Sequence, residues 1–245
     1  MPEKNAIIQS LFDRKSVRSY VDKPISEDIK NLIIDAGIQA PSGGNQEPYA
    51  IIDVEDQDIK DALAVLCDNQ PFIATAPMVL VFLADCRRWP DCYRYAGVEA
   101  RNPNLADLYI SSVDTVAAAQ NMVVAAESLG IGSCYIGDIV ENREQLVTLL
   151  HLDDHVFPAA MVVFGYPTAQ QQDRAKPPRP NRKYLVRKNV YAPLTEEELR
   201  AMHREAYPQE DFDTFIAAFC KRKYMSAFTQ EMNRSIKEYH THFQP

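Results

Sequence analysis

The chain has 245 residues, 26 of them Lys or Arg against 34 Asp or Glu, for a formal net charge of −8. That length suits one large domain or a domain with an appendage, and 46% hydrophobic residues exclude disorder as the main state. The acidic balance argues against a general nucleic-acid binder, and no apolar run approaches the ~20 residues of a membrane-spanning helix. The first residues lack the basic and apolar pattern of a secretory signal. The cysteines at 67, 86, 92, 134 and 220 are odd in number with no CxxC pair, which leads us to expect reduced thiols in a cytoplasmic protein.

Residues 4–13 carry Ile7, Ile8 and Leu11 at helical spacing. Ser26 stands at the start of a second helix, with Ile29, Leu32, Ile33, Ala36 and Ala40 as its apolar stripe. Pro41-Ser42-Gly43-Gly44-Asn45 breaks it, and 49–54 reads as a strand. Ile59, Ala62, Leu63 and Leu66 mark a third helix. The uninterrupted apolar run 78–84 predicts a strand buried on both faces. The stretch 86–110 reads as a loop region with one short helix.

Residues 112–129 give the strongest helical pattern, apolar around most of the circumference and closed by Gly130. Such a helix must be covered on most faces, so we expect it beneath a sheet or in a dimer interface. A short strand at 133–136 follows, then a helix to about 150 with Asn142 and Gln145 at capping-box spacing, then a strand at 159–165. Pro177, Pro178 and Pro180 forbid regular structure. Thr195 and Glu198 form a second capping-box pattern, and 212–243 reads as one or two helices. Strands and helices alternate without tight strand–glycine–helix units, which indicates a layered α+β domain.

Positive charge gathers in two places. Lys176, Arg179, Arg182, Lys183, Arg187 and Lys188 lie in a stretch free of acids. Arg14-Lys15-Ser16-Val17-Arg18 is the second cluster, where alternation in an extended segment puts Arg14, Ser16 and Arg18 on one side. Two cations flanking a hydroxyl suit a phosphate, and either cluster also reads as a solvated surface. They serve the same anion only if the fold brings them together.

Arg14-Lys15-Ser16-Val17-Arg18-Ser19-Tyr20 followed by Pro24-Ile25-Ser26 resembles the opening of the nitroreductase family. Ala40-Pro41-Ser42-Gly43-Gly44-Asn45-Gln46 with Pro48, then Gly130-Ile131-Gly132-Ser133-Cys134-Tyr135-Ile136-Gly137, then Lys176 to Arg179, resemble its later blocks in the family's order. The resemblance implies a three-layer α/β/α sandwich around a mostly antiparallel sheet, a homodimer, noncovalent FMN at the interface and NADH or NADPH as electron donor. It implies FMN contacts from Arg14, Lys15, Ser16 and Arg18, with Arg14 and Ser16 at the phosphate. It also implies Pro41, Ser42, Gly43 and Asn45 approaching from the partner subunit, Gln70 facing the flavin, and a backbone amide near Ile136 and Gly137 facing N5. Lys176 and Arg179 would add a C-terminal phosphate clamp, although two residues separate them where the family often has one. No side chain need be the essential acid, because the flavin carries the chemistry.

The implied division is an FMN-binding domain at 1–190 and a helical extension at 191–245 that packs on the domain or its partner. The implied reaction is two-electron, ping-pong reduction of nitroaromatics, quinones or related small acceptors. Flavin or enone reduction, reductive dehalogenation and non-catalytic FMN binding stand as alternatives. A dinucleotide fingerprint is absent, since Gly130 and Gly132 are followed by Tyr135. His151 and His155 have metal-ligand spacing but no third ligand nearby, so no metal site is expected. Trp89 and Tyr93 are candidates for a substrate pocket wall.

Overall fold

The computed structural model describes residues 3–244. α1 (Ala6–Asp13) begins on Asn5, whose side chain accepts from the Ile8 N–H. α2 (Glu27–Ile38) begins after Ser26, whose hydroxyl makes no capping bond; Glu27 and Asp28 complement the helix dipole instead. Then come β1 (Tyr49–Asp53), α3 (Gln57–Leu66) capped by Asp56, β2 (Met78–Asp85), α4 (Arg88–Tyr95) and α5 (Leu105–Ser128). β3 (Gly132–Ile136), a 3-10 turn (Gly137–Val140), α6 (Arg143–Leu150), β4 (Val156–Gly165) and α7 (Ala169–Asp173) follow. The chain closes through α8 (Arg182–Leu185), α9 (Glu196–Ala206), α10 (Phe212–Phe219), a π turn (Cys220–Tyr224) and α11 (Ala227–His240).

The four strands form one sheet in the order β1-β2-β4-β3, each neighbouring pair antiparallel. Alternate residues of β2 feed two apolar clusters. Val79, Val81 and Leu83 pack with Leu63, Ala64 and Cys67 around α3 and with Leu146 of α6. Leu80 and Phe82 pack with Ile33 of α2 and with Ala119, Met122, Val123 and Ala126 of α5. The fully apolar sequence of β2 is thereby explained: both its faces are buried. Pro158 lies inside β4 opposite Leu83, where the register with β2 shifts. A proline has no N–H for the ladder, so a bulge accommodates it.

Three details differ from the sequence reading. α5 starts at Leu105, seven residues before 112, because Asn104 and Asp107 form a reciprocal capping box at that point. Asn142 makes no capping bond; it takes a left-handed conformation (φ 49°), and its amide donates to Leu66 O at 2.8 Å. Leu32, placed in the apolar stripe of α2, is 56% exposed, and Ala40 lies beyond the end of that helix.

The chain folds into two units. One runs through Arg174 and resumes at Glu231, and the other is Ala175–Gln230. The expected boundary at 190/191 falls inside the second unit. The separation comes earlier, ahead of the proline stretch, and the chain returns to the first core through Met232 and Ile236. In the second unit Thr195 and Glu198 form the expected capping box. Lys183 and Tyr184 both reach Glu205, tying α8 to α9, and Arg200 forks onto Asp213.

Candidate functional site

Beyond α1 the chain runs extended beside β3. The Val17 N–H donates to Ser133 O at 2.9 Å, and Ser16 bridges Ser133 in parallel sense. Two glycines allow this close approach. Gly132 and Gly165 face each other across β3 and β4, and a Cβ on either would overlap Val17 or Tyr20 respectively. With Val17 buried between strip and sheet, Arg14, Ser16 and Arg18 surround the Cys134 thiol. Burial pushes that thiol up, and the two arginines with Ser16 pull against the rise.

The three cations of the strip have different occupations. Arg14 Nε is buried and has no hydrogen-bond partner among the described residues. The Lys15 ammonium donates to the carbonyls of Gln172 and Arg174, and Arg174 in turn donates to Ser16 O. Lys15 and Arg174 thus lace the strip to the end of α7. Arg18 is exposed, with its guanidinium 5.8 Å from the Phe72 ring.

Phe72 connects the strip to Gln70. The Gln70 amide donates to Cys67 O at 2.7 Å and to Asp138 Oδ2 at 2.8 Å. Ile136 is 2% exposed and its side chain belongs to the core, so only its backbone is available to a ligand. A Cβ on Gly137 would meet nothing within 4 Å, so its flank is open. Arg14, Ser16, Arg18, Gln70 and the 136–138 turn are therefore gathered around β3, a strand at one sheet edge.

The loop carrying Pro41, Ser42, Gly43 and Asn45 precedes β1, at the opposite sheet edge. It is fixed from several sides. The Gly43 N–H donates to Asp114 of α5 at 2.9 Å, and the Glu47 N–H donates to Ser42 Oγ at 3.1 Å. Arg88 donates to Glu47 O and Tyr49 O, and the Trp89 indole donates to Gln46 O at 2.9 Å. Asn45 (φ 55°) and Glu47 (φ 42°) hold left-handed backbone that few non-glycine residues adopt. Beside the loop lies a cleft of about 300 Å³ walled by Trp89, Tyr93, Ile110 and Ser111.

Lys176 and Arg179 belong to the second unit, where Arg179 is exposed and donates to Pro177 O at 3.3 Å. His151 ends α6 in a left-handed conformation, while the His155 ring meets His242 O at 2.9 Å; the two have separate structural tasks. Sequence reasoning missed Asp114, Arg88, Arg174 and Glu141. Asp114 had a signal: it is the only charged residue between 108 and 126, and a charge in an apolar helix needs a partner. Glu141 is 4% exposed and follows the open turn directly. Burial, followed by the nearby Asp138 charge, pushes its carboxyl up to about 8.

A profile described as the nitroreductase family matches residues 11–166. The chain belongs to the nitroreductase family. The matched span contains Arg14, Ser16, Arg18, the loop 41–45, Gln70, Ile136 and Gly137 but not Lys176 or Arg179. This nitroreductase-family chain is 31% identical over 240 residues to an FMN reductase [NAD(P)H] of Bacillus subtilis (strain 168), covering 96% of this chain and 91% of that protein. It superposes on the NfrA1 nitroreductase of B. subtilis with a TM-score of 0.76 at 27% identity, covering 92% and 98% of the two chains. The NADPH:FMN oxidoreductase of Vibrio harveyi complexed with NAD+ shares the fold, with a TM-score of 0.80 at 23% identity over 96% and 98% of the two chains.

The residues present fit FMN. A buried, unpartnered arginine nitrogen beside a hydroxyl suits a phosphate, and the open flank of Gly137 leaves room against the backbone.

Proposed function

We propose that this chain is an FMN-dependent oxidoreductase that takes two electrons from NADH or NADPH and passes them to a small acceptor of the nitroaromatic or quinone class. The observation that supports it most is the grouping of Arg14, Ser16 and Arg18 around Cys134, with Gln70 and the open turn at Gly137 on the same side. Arg14 and Ser16 would hold the phosphate, Arg18 the ribityl chain or pyrimidine edge, and Gln70 the ribityl or ring. FMN supplies hydride transfer when bound. The protein supplies position, and a backbone N–H near Ile136 and Gly137 stabilises electron density by the logic of an oxyanion hole. Lys176 and Arg179, in the second unit, match the family's later basic block by sequence alone.

The active form in this reading is a homodimer of cytoplasmic location, and the two apolar clusters are the interfaces of a three-layer sandwich. Among the described residues no helix is long and apolar enough to cross a membrane. Pro41, Ser42, Gly43 and Asn45 would close the cofactor site of the partner subunit. A second acceptor, free flavin, is favoured by the name of the B. subtilis relative.

The test is the visible spectrum of the purified protein, followed by anaerobic addition of NADH or NADPH and then of a quinone, a nitroaromatic or excess FMN. Bleaching by nicotinamide and recovery with an acceptor support the reading. A protein that binds no FMN ends it, and bound flavin that nicotinamide never bleaches leaves only a binding protein.

A further inference from the structure

Glu141 lies just past the 136–140 turn and is buried, and one of its carboxyl oxygens has no hydrogen-bond partner among the described residues. The groups facing it are mostly acidic. Asp138 of the turn lies at hydrogen-bonding range, Cys67 and Asp68 close the end of α3, and Glu231 approaches from α11. Glu231 is already committed to Arg234 and to the Asn142 N–H. Among the described residues no lysine, arginine or histidine forms an ion pair with Glu141, so its ionised form would sit out of water beside like charges. Asp138, by contrast, accepts from Gln70. A carboxyl O–H on Glu141 gives Asp138 a second donor and removes the repulsion between the two acids.

We propose that Glu141 is a positioning residue for the cofactor site: it donates a carboxyl O–H to Asp138 and thereby holds Asp138 against Gln70 and keeps the Ile136–Gly137 turn in place. The proposal rests on the reading that Gln70 and this turn face FMN. Loss of the shared proton sets two carboxylates against each other behind the turn, so FMN affinity falls as pH rises past about 8.

Two measurements separate the acid pair from the cofactor reading. The first is the stability of the cofactor-free protein against pH. The carboxyl is raised above its unfolded value, so its contribution is full below pH ~4.5 and is lost as pH rises towards about 8. Within that window the unfolding constant of the wild type is expected to rise about tenfold per pH unit relative to Glu141→Gln. The second is titration with FMN, read by flavin fluorescence, between pH 7 and 9, above the second ionisation of the phosphate near ~6. Wild-type Kd is expected to rise about fivefold from pH 8 to 9, with Glu141→Gln and Asp138→Asn flat over the same range.

Equal pH slopes for the wild-type and Glu141→Gln melts overturn the shared proton. Parallel Kd profiles in all three proteins overturn the positioning role even where the melts differ. A wild type that binds no FMN at any pH overturns the cofactor reading and the positioning role with it, while the melts still report on the acid pair.

Discussion

Arg14 and Lys15 are neighbours with opposite fates. A buried donor left unpartnered costs about 1–3 kcal/mol, and a phosphate oxygen removes that cost while adding a charge-assisted bond. Arg14 Nε is such a donor. Arg14→Ala is expected to raise the Kd for FMN about 10- to 100-fold, corresponding to the ~1.5–3 kcal/mol of one charged hydrogen bond, as read by fluorescence titration. The Lys15 ammonium already serves two backbone carbonyls. Lys15→Met is expected to leave that Kd within about threefold and to lower Tm by about 2–4 °C, the effect of losing ~1 kcal/mol in a chain of this size. Weakening as large as that of Arg14→Ala would make Lys15 a phosphate ligand rather than a tether. The basic strip was legible in the sequence because its residues are contiguous. Which cation stays available was not, because the two acceptors of Lys15 lie 157 and 159 residues away.

At the scale of elements, the strip depends on two strands giving up their side chains at one cross-strand pair. Gly132 and Gly165 are partners in the ladder, and Val17 and Tyr20 fill the space above them. Gly132→Ala forces Val17 away from β3, an overpacking that costs about 1–3 kcal/mol. We expect a protein with unchanged far-ultraviolet circular dichroism, a lower Tm and FMN affinity reduced at least as far as in Arg14→Ala, since the whole strip shifts. Full affinity in this variant would show that the strip is held from elsewhere. The apolar run of β2 and the stripes of α2 and α3 were readable because burial imposes periodicity along a segment. The start of α5 was obscured because Tyr109, Ile110 and Val113 interrupt the expected polar face, and the Asn104–Asp107 pair that fixes it lies in an irregular stretch. The loop before β1 was recognisable as a break. Its anchoring by Arg88, Trp89 and Asp114 was not, because each anchor sits on an element distant in sequence.

The whole molecule leaves its proposed cofactor residues in two groups. One group clusters at β3 and the other precedes β1, with β2 and β4 between these edge strands. Three inter-strand spacings of ~4.8 Å set these edge strands about 14 Å apart. Two helices also expose apolar side chains. α1 buries none of its residues and leaves Ile7 65% and Ile8 41% exposed; α5, which packs beside it, exposes Tyr109, Ile110, Val113 and Val116. Exposed apolar side chains gathered on such helices mark an association face. A two-fold dimer across α1 and α5 would bury it and carry the Ser42 loop of each copy to the Arg14 side of the other, making two equivalent sites. Val113→Asp tests this without touching a proposed cofactor contact, because Val113 sits on the outer face of α5 at 51% exposure. Burying an unpaired carboxylate at an interface costs several kcal/mol, far more than a helix surface pays for the same change in a monomer. Sedimentation is expected to show the mass of one chain for the variant and two for the wild type, with FMN affinity reduced at least tenfold and helix content preserved. A monomeric wild type that binds FMN at full stoichiometry would place both halves of the site within one chain and refute the dimer.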